Sequence, residues 1–484
     1  MNRSKLSQHT KIGDTLHTPF TGYLGNRMKE TSWSRDKLPQ FIWIALIFST
    51  FDRNYAFKVL SDIIKELKKQ QICIAELSEV LSLKEQEQEK WFDIIDMFIP
   101  KEVLSPLSIV FSSREYPYFF NRYCMPELDL ELKITKLMQA IEKNLSFHSH
   151  ESTDICFIVI WFYISAKKML FSRECTMSTR ALTEYYKHSH DEEVMSDYRP
   201  IIRATMQGLS VFMDGSFSHK FWDQLAQITS CKPMIIDYIH EDITMNKEFL
   251  TDSMKTLEFI GANVKDKYQS AKYTISMGIV TYIIKLYAEI LDHELQNTIS
   301  SRILFRTIVE AYINLKYLLY KEPSTPDVFE KFQSYGLGKY KLVMAKLREG
   351  KYQKDPDAHI NSKLLEVYVN EVKDEEFTPI NLGYFDKDNI RKKFELVGEM
   401  ELYEIYYDYD TNYVHAFWGA IRESAMLLCD NPSHLYHNVP DYTMEQMLSD
   451  IDHDCIMVLK KVFSTISSYI ELPDFFVNKY DMRC

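Results

Sequence analysis

Glycine is scarce in this chain: 13 in 484 residues, well under the roughly 7% typical of proteins. Tight β-turns draw on glycine for positive φ, so an architecture of many hairpins is excluded and helices are favoured. The eight cysteines (Cys73, Cys124, Cys156, Cys175, Cys231, Cys429, Cys455 and Cys484) include no CxxC pair. That spacing is neither a disulfide framework nor a zinc pattern, so the chain reads as a cytoplasmic protein with reduced thiols, no metal and no cofactor. Also missing are a Walker loop, a GxGxxG after a strand, HExxH and GxSxG, which disfavours the enzyme classes built on them. The N-terminal MNRSKLSQHTKIGD has no apolar core of a signal peptide, and the greasiest runs, Phe41 to Phe51 and Ile155 to Ala166, are too short to span a bilayer. No export and no membrane span are expected.

What is present is globular usage: 46% hydrophobic, 14% aromatic and 26% charged residues, far from the signature of disorder. The formal charge of −12 argues against a broad nucleic-acid footprint, although a local basic groove remains compatible with it, so RNA stays among the partners to consider. At 484 residues the chain exceeds the size at which a single core stops growing, and two helical lobes follow. The reading is all-α: an irregular arm over 1–35, an N-terminal helical lobe over 36–240 and a C-terminal bundle over 241–484.

Period and stop signals place the helices. In the first lobe a buried helix starts at Leu38, with Pro39 in its first turn and Ser34 or Asp36 as cap. Others follow at about 54–69, 84–98, 127–144, 153–171, 193–213 and 219–229. The second lobe reads as helices at about 245–261, 265–296, 299–320, 326–347, 360–373, 399–429 and 443–471, with Pro323 and Asp430-Asn431-Pro432 as stops. The runs KELKK and KEQEQEK are solvated helix faces.

One helix carries the most information. SRILFRTIVEAYINLKYLLY is apolar nearly all round and should be buried, so its charges need compensation. Arg302, Arg306, Glu310 and Asn314 succeed one another at intervals of four and form a polar row on one face. The segment YEIYYDYDTNYVHAFWGAIRES offers a complementary stripe of Asp408, Thr411, Asn412, His415 and Arg422. Three uses of such a cluster are open: a network that fixes helix register, a pocket for a small ligand, nucleotide or peptide, and a catalytic centre.

These residues carry a resemblance. Arg306, Glu310 and Asn314 in RTIVEAYIN, followed by Tyr409, Thr411, Val414 and His415, resemble the two signatures of the bacterial domain-of-unknown-function family 5677, over roughly residues 260–430. The resemblance implies a helical fold and a shared polar centre. The family is in turn similar to the HEPN superfamily, helical bundles in which an Arg and a His on one helix cleave RNA without metal, often in defence and toxin systems. On that analogy His415 is general acid or base, while Arg306 or Arg422, with Glu310 beside them, stabilises the phosphorane; Arg302, Asn314, Tyr409, Thr411 and Asn412 bind. The order departs from HEPN, since Arg422 follows His415 by seven residues. The in-pattern pair, Arg3 and His9, falls in the N-terminal arm.

Two echoes, His148-Ser149-His150-Glu151 and His188-Ser189-His190-Asp191, could hold a metal if their loops met, and otherwise are solvated loops. Asp450, Asp452, His453 and Asp454 read as the solvated first turns of the last helix. The leading expectation is a cytosolic bacterial interaction or regulatory protein of an anti-phage or toxin-type system, working through protein partners such as operon neighbours or a second copy. The alternative is a metal-independent, HEPN-like endoribonuclease.

Overall fold

The computed structural model describes residues 5–19, 31–170, 176–209, 215–235, 243–264, 270–349, 358–381 and 383–482. Helices dominate them. Strands are confined to the hairpin β1 (Thr10–Ile12) and β2 (Thr15–His17), and to β3 (Pro233–Met234), β4 (Met426–Cys429) and β5 (Asn438–Pro440), which form one small sheet in the order β3-β4-β5. The hairpin orders part of the arm: Ile12 pairs with Thr15 across a two-residue turn in which Gly13 stands at φ +62°, a conformation that costs glycine little.

The chain divides into two compact units, Met1–Met234 with Leu428–Asn438, and Ile235–Leu427 with Val439–Cys484. In the first unit α1 (Leu38–Thr50) is the hub, with every residue from Leu38 to Ile47 buried. It packs on α4 (Leu130–Asn144) and α5 (His150–Ser165). Around these lie α2 (Arg53–Lys69), α3 (Glu85–Phe98), α6 (Met195–Gly208) and α7 (Gly215–Ile228). The helix is entered through a π-helical turn, Trp33–Lys37, capped by Ser32 rather than by Ser34 or Asp36: Arg35 N–H donates to the Ser32 hydroxyl, and Asp36 accepts from Ser32 N at 2.6 Å. Buried indoles find acceptors, Trp43 Nε1 donating to Ala75 O at 2.8 Å and Trp33 Nε1 to Asn144 O at 2.7 Å.

The second unit comprises α8 (Ile243–Asn263), α9 (Ala271–Asp292), α10 (Ile299–Lys321), α11 (Val328–Arg348), α12 (Ile390–Val397), a π-helical segment Leu402–Tyr407, α13 (Asp408–Val414), α14 (Trp418–Ala425), α15 (Asp452–Ser467) and α16 (Asp474–Tyr480). Here α10 is central, touching α9, α12, α13 and α15. Its start is capped by Thr298, whose hydroxyl accepts from Ser301 N. By length and composition α9 is apolar enough to cross a membrane, at a mean hydropathy of 1.4, which the sequence reading did not anticipate. Val280, Ile283, Tyr287 and Ile290 on it belong to the core of this unit.

Two long helices depart from their expected spans. The stretch 399–429 breaks at His415, where Ala416 takes φ +51°. Phe417 N–H reaches Asn412 O at 2.9 Å and Ala416 N–H reaches Tyr413 O at 3.3 Å, the paired bonds of a Schellman stop. The last long helix starts at Asp452, not 443, because the chain before it bonds elsewhere: Leu448 N–H and O pair with Asn297, and Gln446 Oε1 accepts from Ile299 N at 2.7 Å. A one-dimensional periodicity contains neither partner.

Two glycines of α11 make opposite tests. A Cβ on Gly336 meets nothing, whereas one on Gly338 would sit 2.4 Å from the Pro379 carbonyl oxygen. Gly336→Ala should therefore stabilise by up to about 1 kcal/mol through helix propensity, while Gly338→Ala forces backbone apart and should destabilise by roughly 1–3 kcal/mol. Urea unfolding of the two variants reads the opposite signs.

Candidate functional site

The row on α10 does not act as a single feature. Arg306 is held from three sides: its Nε donates to Thr411 Oγ1 at 3.2 Å, one terminal nitrogen to Glu310 Oε2 at 3.2 Å and the other to the Tyr407 hydroxyl at 2.6 Å. The guanidinium lies over the Tyr407 ring, 4.3 Å from its centroid, and the Tyr407 hydroxyl also donates to Glu310 at 3.2 Å. Thr411 in turn donates to Tyr407 O. Burial, with Glu310 beside it, pushes the Tyr407 phenol well above its ordinary pKa, so it remains a donor. Arg306 thus bonds along its own helix to Glu310 and across to the π-helical segment at Tyr407 and to α13 at Thr411.

Asn314, a turn further, meets only the Tyr384 hydroxyl, at 3.5 Å among the described contacts. Asn412 spends its amide on the carbonyls of Asp408 and Tyr409 in its own helix, at 3.0 and 2.9 Å. Arg422 donates to Met426 O at 3.1 Å, at the end of α14. His415 is exposed at the α13 stop, its ring stacked on Phe417 at 5.6 Å. The described contacts therefore join Arg306, Glu310 and Thr411, and do not include a bond from His415 or Arg422 to that group. Arg3, one half of the in-pattern pair, lies outside the described residues.

The opposite end of the row opens on a cavity of about 250 Å³, lined by Arg302, Phe305, Ile405, Tyr406, Tyr409, Asp410, Ser449, Asp450, Ile451 and Asp454. Arg302 is 3% exposed and Asp410 2%. Arg302 donates to Ser449 O and, at 3.0 Å, to Ser449 Oγ, but its Nε has no partner, and neither has Asp410 Oδ1. Two residues that line one cavity thus each hold a buried, unsatisfied polar atom, of a kind that folded proteins nearly always pair. Burial pushes the Asp410 carboxyl up to about 7; Asp454 and Glu423 act in the same direction, Arg302 and Arg306 against it. Tyr409 completes one wall, its hydroxyl bonded to Glu423 at 2.7 Å, and Tyr413 bonds the same carboxylate at 2.7 Å, which fastens α14 to α13 across the break.

The acidic run on α15 is not simply solvated, as expected from sequence. Asp452 is buried and accepts from Asn246 Nδ2 at 2.9 Å, and Asp450 accepts from Asp452 N at 2.7 Å, which turns the chain into the helix. A single stretch, all but its last seven residues in the second unit, carries the comparison with known proteins. Residues 273–434 match the model of a family of unknown function, DUF5677. No curated protein and no solved structure matches the chain. The matched segment runs from the third residue of α9 past the end of α14, and so includes Arg302, Arg306, Glu310, Tyr407, Asp410 and Thr411; Ser449, Asp450 and Asp454 lie beyond it.

Sequence reasoning missed Tyr407 and Asp410. Their signal was present: Asp410 stands three and four residues after Tyr407 and Tyr406, on the face that the tyrosines bury. Also missed was Lys393, fully buried, whose Nζ sits over the rings of Tyr384 and Phe385 at 4.0 and 4.3 Å, with burial lowering it to about 8. In the first unit the two His echoes do meet, His150 against His190 at 4.6 Å between ring centroids. His190 Nε2 lies 3.2 Å from Asp154, but Arg53 already holds that carboxylate through bonds of 2.9 and 3.0 Å, and a guanidinium there opposes a metal ion. A different cluster of ligand types, Cys231, Cys429, His434 and His437, gathers in the same unit.

Proposed function

We propose that this is a regulatory or interaction protein whose second unit binds a small polar molecule in the Arg302–Asp410 cavity. The observation that carries the reading is that Arg302 and Asp410, which both line one cavity, each hold an unsatisfied buried atom, Nε and Oδ1. Both atoms are closed to solvent, so a ligand that accepts from the first and donates to the second satisfies them once the two side chains turn towards the cavity. Three acids, Asp410, Asp450 and Asp454, line the cavity with one guanidinium, that of Arg302, so a donor-rich or cationic head suits it better than an anion. Arg306, Glu310, Tyr407 and Thr411 act in this reading as the brace that positions the helix bearing Asp410. Work through protein partners, and the anti-phage or toxin-type setting that the resemblance implies, belong to the same proposal. The endoribonuclease reading gains no support from the contacts of His415 and Arg422.

The test uses arginine, spermidine and the free nucleobases as probes, with isothermal titration calorimetry on the full chain. At least one should bind the wild type, and Asp410→Leu, which fills the cavity with apolar volume, should weaken that binding at least tenfold. Absence of binding by every probe, together with no small molecule retained on native mass spectrometry, refutes the ligand reading.

A further inference from the structure

Four residues far apart in sequence converge in the first unit. Cys231 follows α7; Cys429, His434 and His437 belong to the segment Leu428–Asn438, which returns to this unit after nearly two hundred intervening residues. Their ligand atoms all lie within 4.8 Å of one another, and among the described residues no other group of this kind occurs. Cys231 Sγ stands 3.4 Å from His434 Nδ1 and 3.2 Å from His437 Nε2, and Cys429 Sγ stands 3.6 Å from His434 Nδ1. With Zn–S near 2.3 Å and Zn–N near 2.05 Å, a tetrahedral Cys₂His₂ site has sulfur–nitrogen edges of about 3.5 Å. We propose that these four side chains bind one zinc ion in a closed, structural site.

The surroundings prepare the donors for a cation. Thr229 Oγ1 donates to Leu225 O at 2.9 Å, which leaves it to accept at 2.9 Å from His434 Nε2. The proton is thereby held on Nε2, and the lone pair of Nδ1 faces the two sulfurs, the arrangement by which outer groups orient metal-bound histidines. Lys232 N–H donates to Cys429 Sγ, 3.3 Å away, the kind of backbone bond that orients a sulfur ligand. The β3–β4 pairing of Pro233 with Cys429 and Met234 with Leu428 places the two cysteine segments side by side. Between the two histidines, Leu435 and Tyr436 both take positive φ, +54° and +50°. Such conformations in bulky residues cost about 1–3 kcal/mol each and persist where surrounding structure over-determines them. Here they bring both imidazoles to one point.

Binding balances without any redox partner. Zinc(II) displaces one proton from each thiol, two protons pass to solvent, and two thiolates with two neutral imidazoles leave the centre uncharged. All four positions are filled by protein, so no site for a catalytic water remains, and the ion's work is to fasten the returning segment onto the first unit. Cys231 and His437 lie outside the family-matched residues 273–434, so the complete ligand set is a property of this chain's own fold.

The full chain, prepared without a polyhistidine tag or chelator, should carry about one zinc per molecule by elemental mass spectrometry. After removal of the metal, added cobalt(II) should give the strong visible absorption of a tetrahedral site together with thiolate charge-transfer bands. The double variant Cys231→Ser/His437→Gln, which changes the two exposed ligands, should lose both signals. A metal-free wild type whose cobalt spectrum stays weak and six-coordinate overturns the proposal, and needs no variant to fold. A Cys231–Cys429 disulfide found in the unreduced protein, or stoichiometric zinc retained by the double variant, overturns it equally.

Discussion

Asp410→Asn should stabilise the protein against urea, and its advantage over the wild type should widen by roughly 2–3 kcal/mol between pH 5 and pH 8. The carboxyl is 2% exposed and is pushed up to about 7 by burial, against about 3.9 in an unfolded chain. Between those values the folded state holds a proton that the unfolded state has released, so wild-type stability falls as pH rises and the loss is complete above about pH 7. At 1.36 kcal/mol per unit the penalty is about 1.5 kcal/mol at pH 5 and about 4 kcal/mol at pH 8. Asparagine has nearly the same shape and never ionises, so it is spared both. Unfolding midpoints measured for the two proteins at both pH values decide the matter, and a gap that does not change with pH refutes the assignment. The same titration would make ligand binding in the cavity pH-dependent near neutrality, with Asp410 donating below about 7 and accepting above.

Arg306→Ala should cost about 2–4 kcal/mol, with Arg306→Lys recovering little of it. The substitution removes bonds to Thr411, Glu310 and Tyr407 at once, strips the Tyr407 ring of its cation, and leaves Glu310 without the guanidinium. Loss of one partner from a buried pair costs about 3–5 kcal/mol, and the partial exposure of Glu310 lowers that figure. A lysine cannot reproduce a planar fork that bonds three groups and stacks on a ring. His415→Ala supplies the contrast: an exposed ring resting on Phe417 should change stability by less than about 0.5 kcal/mol. If instead His415→Ala abolished an RNA-cleaving activity of the wild type while Arg306→Ala left stability unchanged, the network would be catalytic and the brace reading would fall.

The polar row on α10 was legible because a charge on an apolar helix is conspicuous in one dimension, and four-residue spacing puts such charges on one face. What each charge does was not legible. Arg302 and Arg306 are equivalent by spacing, yet Ser449 and a cavity face the first while Thr411, Glu310 and Tyr407 enclose the second. Asp410 looked like any acid in a tyrosine-rich helix until the packing of Arg302, Ile405 and Ile451 around it became visible. The break at His415 was hidden because alanine, not glycine, takes the left-handed position, so the usual sequence mark of a helix stop is absent.

Composition and period alone determined that this chain folds into helices, and which of their faces are buried, because those properties depend on residues three and four apart. Tertiary structure alone decided which polar residues of α10 brace α13 and which border a cavity. It alone also decided that Cys231 would meet Cys429, His434 and His437, because metal-ligand geometry is set in space and the chain between them leaves no period to read.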